Sequence, residues 1–332
     1  MSRAVDRVDA FQRRHPWLGF PLGVLYKFFD DQGGYLAAVI TYYTFVAIFP
    51  MLLIASSVLG IILRGHPALQ QQILSSALAQ FPIVGDQLGQ PEGLQGGASA
   101  VIVGTLAALY GLVGLGQAAQ NAVNVAWAVP RNSRLNPVLS RLRSLVWLVL
   151  AGLALVAIAV LSSVSNHLDF FGLHFSDLGQ ALGVVTTLVL TTAVLAVMMR
   201  LSTPQDHRLK HVVPGAASIA ILWLVLQLIG GLYVEHVIKR VDQMNAVFAI
   251  VLGLMALLYV ATVIAILGLE VNVVLAKHLY PRALLTPFTD DVELTAADEQ
   301  VYREYAVAQR HKGFEKVQVT FDKVDDSHSL RP

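Results

Sequence analysis

The apolar positions of this chain run on in long unbroken blocks. Six stretches carry no charged residue: Tyr35–Leu63, Ala98–Gly116, Leu145–Ser165, Ala181–Met199, Val212–Val234 and Val247–Leu269. An apolar run of about 18 residues or more is a transmembrane-helix candidate, because ~20 residues of helix cross the hydrocarbon of a bilayer. In lipid only helices and closed barrels satisfy every backbone amide, and barrel strands alternate apolar and polar over about 10 residues. Runs this long and uniform predict helices. A buried core helix explains one of them but not six. The pattern predicts an all-α polytopic membrane protein with six transmembrane helices, the last continuing to about residue 276.

The basic residues orient these helices. The leader 1–34 holds five Lys and Arg, the loop 117–144 four, the loop 200–211 three and the tail 270–332 eight. The intervening loops 64–97, 166–180 and 235–246 hold one, none and two. Positive residues accumulate on the cytoplasmic side, so both N- and C-termini are expected there.

Three parts follow. Residues 1–34 form a leader in which Arg3, Arg7, Arg13, Arg14 and Lys27 mix with Trp17, Phe20, Phe28 and Phe29. That mixture suits an amphipathic helix on the inner membrane surface; a solvated arm is the alternative. The leader does not read as a cleavable signal, because the run from Tyr35 is far longer than a signal's apolar core and no small-residue cleavage pattern follows it. Residues 35–280 form the transmembrane domain, whose longest outer loop, Arg64–Gly97, carries a short helical pattern at Leu69–Leu78 and is expected to cap the outer face. Residues 281–332 form a charged cytoplasmic tail with ten acidic and seven basic residues. There Thr295-x-x-Asp298 reads as a capping box opening a helix through about Gln309, with disorder expected beyond Gly313. No internal repeat is legible.

Composition narrows the function classes. Of 332 residues, 55% are hydrophobic and 14% charged, against about 25% charged in soluble domains. A net charge of +1 speaks against a basic nucleic-acid binder. The absence of cysteine excludes disulfides, thiolate metal sites, iron–sulfur clusters and cysteine nucleophiles.

Polar groups in apolar helices are costly and mark candidate function. Thr41, Tyr42, Tyr43 and Thr44 lie in the first run, where Pro50 is expected to kink the helix. The second run has Gly104, Ala107, Gly111 and Gly114, a small-residue stripe that admits close helix packing within one chain or between copies. Gln117, Gln120, Asn121 and Asn124 continue that stripe at i, i+3, i+4 and i+7. Thr186, Thr187, Thr191 and Thr192 can bond back to their own helix. Glu270, with Asn272 beside it, is the one carboxylate in an extended apolar run. With the N-terminus inside, Thr41–Tyr43, the Gln/Asn stripe and Glu270/Asn272 all fall in the cytoplasmic half. They either line one polar vestibule opening to the cytoplasm or have simply reached headgroup level.

These residues resemble a known family. Ala37-Ala38-x-Ile40-Thr41-Tyr42-Tyr43-x-Phe45-x-x-x-Phe49-Pro50 looks like the opening motif of the YihY/BrkB/YhjD family of bacterial inner-membrane proteins. Asn121-x-x-Asn124-x-x-Trp127, Pro214-Gly215-Ala216-Ala217 and Gly268-x-Glu270-x-Asn272 agree in order and spacing, over about residues 15–285. Leu269 departs from the alanine the family tends to carry, and the tail after about 290 is not covered. The resemblance implies a six-helix inner-membrane protein linked to envelope integrity, with a proposed part in moving lipids. Some members resemble factors associated with serum resistance. The family has also carried a ribonuclease label, against which this sequence speaks.

Three classes compete. A lipid or amphiphile transporter would use the polar vestibule as a headgroup path; no Gly-x-x-x-x-Gly-Lys-Ser/Thr loop is present, so the chain itself hydrolyses no ATP. A non-transporting scaffold would recruit envelope protein partners through tail and outer loop. An enzyme is disfavoured. His207-x-x-x-His211 and His167-x-Asp169 with His174 are the best metal-like spacings, both in loops; carboxylates do not cluster as two-metal nucleases need; and Ser162-Ser163 sits in no nucleophile elbow. No cofactor, metal or nucleic-acid partner is expected. Membrane lipids are the expected partners: the basic leader and the Arg131–Arg143 loop should attract anionic inner-leaflet headgroups, at about 1 kcal/mol per positive residue.

Overall fold

A computed structural model describes residues 3–62, 98–146, 149, 152, 177–202, 209–236, 243–289 and 292–321. Among these residues all extended regular structure is helical and no strand occurs. Helix α1 spans Arg3–Arg14 and α2 spans Pro16–Asp30. They part at His15, whose extended backbone precedes Pro16 in the first turn of α2, where a missing N–H costs nothing. Gln32 adopts a left-handed backbone (φ 54°) and turns the chain into α3, Gly33–Ile62. Helix α4 spans Ala98–Ala126, followed by a 3-10 turn at Arg131–Ser133 and a helical segment at 137–146. Helices α5 (Asp177–Ser202), α6 (Leu209–His236), α7 (Gln243–Lys277) and α8 (Ala296–Ala308) complete the order.

Among the described residues three helices are long and apolar enough to cross a membrane, with candidate spans Gly183–Arg200, Leu209–Leu232 and Val251–Lys277, and Gly33–Ile48 is a shorter apolar stretch. Val185 and Val189 of α5, Leu228 and Leu232 of α6, and Leu252 and Val260 of α7 are exposed. Apolar surface repeated along one helix after another is out of place in water and matches lipid as solvent. The helices outrun the charge-free blocks. α4 continues ten residues past Gly116, because Gln and Asn are tolerated in a helix and no proline follows before Pro130. Most of the third block, Leu145–Ser165, and the outer loop 64–97 lie outside the described residues.

Helix α7 is the hub, packing on α2, α3, α4 and α6. One half of its core joins Leu254, Leu257 and Leu258 to Ile48 of α3 and to Ile219 and Leu226 of α6. The other half joins Leu269, Val273 and Val274 to Val123 of α4, Val24 of α2 and Val301 of α8. Leader and tail thus build the core rather than merely flank it.

Two close helix crossings depend on glycine. A Cβ at Gly215 of α6 would collide with the Gly268 carbonyl and the Asn272 side chain, and one at Gly268 of α7 would meet Ile219. Pro214 interrupts the α6 ladder, and the Gly215 N–H donates to Asn272 Oδ1 at 2.7 Å. On α4, a Cβ at Gly111 would lie 2.9 Å from Val46 Cγ1 of α3, and one at Gly114 would overlap the Tyr43 ring. The side chains of Ala107 and Pro50 are outside the described residues, as are the surroundings of Gly104; the α3 backbone stays helical through Pro50.

Candidate functional site

The polar stripe of α4 ends against the chain that leaves it. Gln117, Gln120, Asn121 and Asn124 come to one side by helical spacing. With Arg134, Leu135, Ser140 and Arg143 they line a cavity of about 150 Å³. Gln120 is buried and committed to structure. Its Nε2 donates to Ser140 O (3.1 Å) and Ser144 Oγ (2.7 Å), and its Oε1 accepts from Ser140 Oγ (3.2 Å). This clamp holds segment 137–146 against α4. Arg134 donates through Nε to Val129 O (3.2 Å) and through Nη1 to Asn121 Oδ1 (3.4 Å). Gln117 and Asn124 are half-buried.

Charge in this cavity is one-sided. Partial burial pulls the Arg134 guanidinium below its ordinary range, with the like charge of Arg131 adding to the effect, and burial does the same to Arg143. Among the described lining residues there is no carboxylate. Guanidinium and amide N–H groups around a hollow with no acid among its described lining residues can bind an anion.

Glu270 and Asn272 lie elsewhere. Both are fully buried, and neither lines the cavity. Glu270 Oε2 stands 3.7 Å from Lys27 Nζ. Lys27 is itself buried, pairs with Asp31, the residue that caps the end of α2, and donates to Ala126 O at the end of α4 (3.0 Å). Burial alone would pull the Lys27 ammonium down, but the charges of Glu270 and Asp31 prevail and hold it above its ordinary value. Asn272 braces Gly215, and its Nδ2 lies 3.2 Å from Met199 Sδ.

A second buried charge group ties the tail down. Arg282 pairs with Asp30 of α2 (2.6 Å) and Asp298 of α8 (2.7 Å), between the rings of Tyr26 and Tyr302. Burial opposes the Arg282 charge, yet these two carboxylates raise its pKa above the usual value. Asp298 is also the reciprocal partner of the helix cap Thr295 and accepts from Ala283 N (2.9 Å). Lys277, at the end of α7, adds a pair with Glu304 (2.6 Å) and donates to Trp127 O (2.9 Å).

The Thr-Tyr-Tyr cluster occupies a third place. Thr41 Oγ1 donates to Thr262 Oγ1 of α7 (3.4 Å), whose hydroxyl donates back to its own helix at Leu258 O. Tyr42 is exposed. Tyr43 meets Tyr42 edge-on and Tyr110 at a tilt. The structure thus brings the Gln/Asn stripe together with Arg134 and Arg143, joins Glu270 to the leader, and sets Thr41–Tyr43 at the α3–α4 and α3–α7 contacts.

Lys27, Asp31, Arg282 and Asp298 escaped the sequence reading as partners. The signals were faint: a Lys and an Asp four apart inside an aromatic leader, and an arginine directly after the last apolar helix. Among the described residues no group of three or more His, Asp or Glu is placed to hold a metal. His207, His167 and His174 lie outside the described residues.

Neither the curated proteins nor the solved structures hold a match to this chain. A family model does match, over residues 24–290, so the stretch containing Lys27, the Gln/Asn cavity and Glu270 falls within it: the chain belongs to the family described as virulence factor BrkB.

Proposed function

We propose that this chain is a multi-pass protein of the bacterial inner membrane, with six spans and both termini in the cytoplasm. In this reading it serves envelope integrity by binding a lipid or amphiphile through its headgroup and moving it. It performs no covalent chemistry and needs no cofactor. The Lys/Arg asymmetry supports the topology. So does the meeting of three of the four basic-rich parts: Lys27 of the leader reaches Ala126 O, Lys277 reaches Trp127 O, and Arg310 of the tail donates to Asn132 Oδ1 (3.2 Å).

The observation that carries the functional reading is the cavity at the end of α4. It is polar and basic inside, yet segment 137–146 beside it exposes Val138, Leu139, Leu142, Leu145 and Val146. An amphiphile needs both surfaces. The test is movement of headgroup-labelled lipids in proteoliposomes by wild type, Gln117→Leu and Asn121→Leu. Protein-dependent movement that both substitutions reduce, at unchanged folding, supports the reading; movement by neither wild type nor variants with any lipid class contradicts it.

A scaffold that recruits an envelope protein is the second reading. It is favoured by the tail beyond α8, where Phe314 is 87% exposed on a segment anchored through Arg310. Truncation after Gly313 leaves α8 and its ion pairs in place. Loss of function in that truncation, with lipid movement intact, selects the scaffold.

A further inference from the structure

We infer that the cavity at the end of α4 is a phosphate site, the phosphate being that of a lipid headgroup or free in solution; this deepens the amphiphile reading and rests on it. The lining residues contribute two guanidinium charges and, among the described residues, no negative one. Among the described residues Arg134 donates to two neutral acceptors, Val129 O and Asn121 Oδ1, and a partly buried positive charge is favoured when an anion compensates it.

The donors are preset. The bonds from Arg134 to Val129 O and Asn121 Oδ1 fix its guanidinium plane while leaving Nη2 uncommitted, and they turn the Asn121 amide so that its Nδ2 is a donor to spare. The side chains of Gln117 and Asn124 make no hydrogen bond among the described residues, and Arg143 lines the cavity beside them. A planar fork matches two oxygens of one phosphate. Donors arriving from two chain segments suit a tetrahedral anion, whose oxygens point in several directions, better than a flat carboxylate.

Size limits what enters. A volume of about 150 Å³ is below the roughly 300 Å³ at which pockets begin to enclose a whole drug-sized ligand. The cavity takes a headgroup only. Acyl chains attached to it have an adjoining surface in Val138, Leu139 and Leu142.

The test is the unfolding midpoint of the purified full chain in a maltoside detergent, titrated at constant ionic strength. The probes are dihexanoyl phosphatidylglycerol and, separately, inorganic phosphate. A saturable rise is expected, weakened by about tenfold or more when Arg134→Gln and Arg143→Gln are combined, as for lost charge-assisted hydrogen bonds. Combining Arg131→Gln with Arg141→Gln removes equal charge from exposed positions outside the cavity and should change binding less than about twofold. Saturation by the lipid alone identifies a lipid phosphate, and saturation by inorganic phosphate identifies the free ion. No saturation by either, or equal weakening by the two double variants, overturns the site. Should the first pair not fold, Gln117→Leu with Asn124→Leu probes the same cavity without touching charge. Binding without lipid movement would defeat the transport reading alone; movement without binding here would defeat this site alone.

Discussion

Lys27 and Glu270, from opposite ends of the chain, face each other at 3.7 Å with both side chains buried. The acid most suggestive of transport chemistry therefore fastens the leader to the last long helix. Its neighbours support that role, since Lys27 also holds Asp31 and the last carbonyl of α4.

Removing the ammonium should be costly. Lys27→Met leaves two carboxylates, Asp31 and Glu270, buried without their cation, and breaking a buried pair in this way costs about 3–5 kcal/mol. The triple variant with Asp31→Asn and Glu270→Gln should recover most of that loss, because neutral groups carry no charge to desolvate. Thermal unfolding in detergent measures both; no loss in Lys27→Met would mean the cluster is hydrated and structurally idle.

The α6–α7 crossing should tolerate no side chain. Gly215→Ala and Gly268→Ala each force backbone against backbone or against Ile219, an overpacking cost of about 1–3 kcal/mol or more. Gly183→Ala on α5, where a Cβ meets nothing, should leave the unfolding midpoint unchanged or raise it.

Arg282 should hold the tail helix in place. Arg282→Ala strips Asp30 and Asp298 of their shared cation, so α8 should detach while the apolar helices stay packed. Limited proteolysis reads this as new cleavage between Pro281 and Thr295. Continued protection of that stretch would show that the Thr295–Asp298 cap and apolar contacts suffice.

Alkaline pH should loosen the same region. Burial beside Asp30 raises the Tyr302 phenol from 10.0 to about 12, and Lys27 is held above 10.5. In both cases the folded state keeps its proton longer than the unfolded state. The stability each contributes is full below about pH 10 and is lost as pH rises through the folded-state value. Absorbance titration should show a phenolate step near pH 12 that Tyr302→Phe removes; a Tyr302 step near pH 10 would place that ring in free solvent.

What was legible in the sequence follows from the range of the forces involved. Lipid imposes its rule on every residue of a span, so Val212–Val234 and Val247–Leu269 announce α6 and α7 directly. The Thr295–Asp298 cap was legible because both its bonds close within one turn. Lys27–Glu270 and Arg282–Asp30 were not, since no local pattern says which distant charge a buried charge will meet. The end of α4 was half legible: the predicted span stopped at Gly116, where the polar amides begin, yet the i, i+3, i+4 and i+7 spacing of Gln117–Asn124 carried the stripe on, and the helix runs to Ala126. Their association with Arg134 and Arg143 depends on the turn after Ala128, whose left-handed backbone (φ 51°) composition does not foretell.

The central claim is a division of labour: the α4 cavity handles the ligand, and the Lys27–Glu270 cluster holds the fold. The most direct measurement pairs two readouts, unfolding midpoint and headgroup-labelled lipid movement in proteoliposomes, on Asn121→Leu and Glu270→Gln. Asn121→Leu should lose most movement at a near-wild-type midpoint, while Glu270→Gln should lower the midpoint and keep whatever movement its folded fraction supports. The reverse pattern, with Glu270→Gln silent in stability but dead in movement, would contradict the claim and return the acid to the transport path.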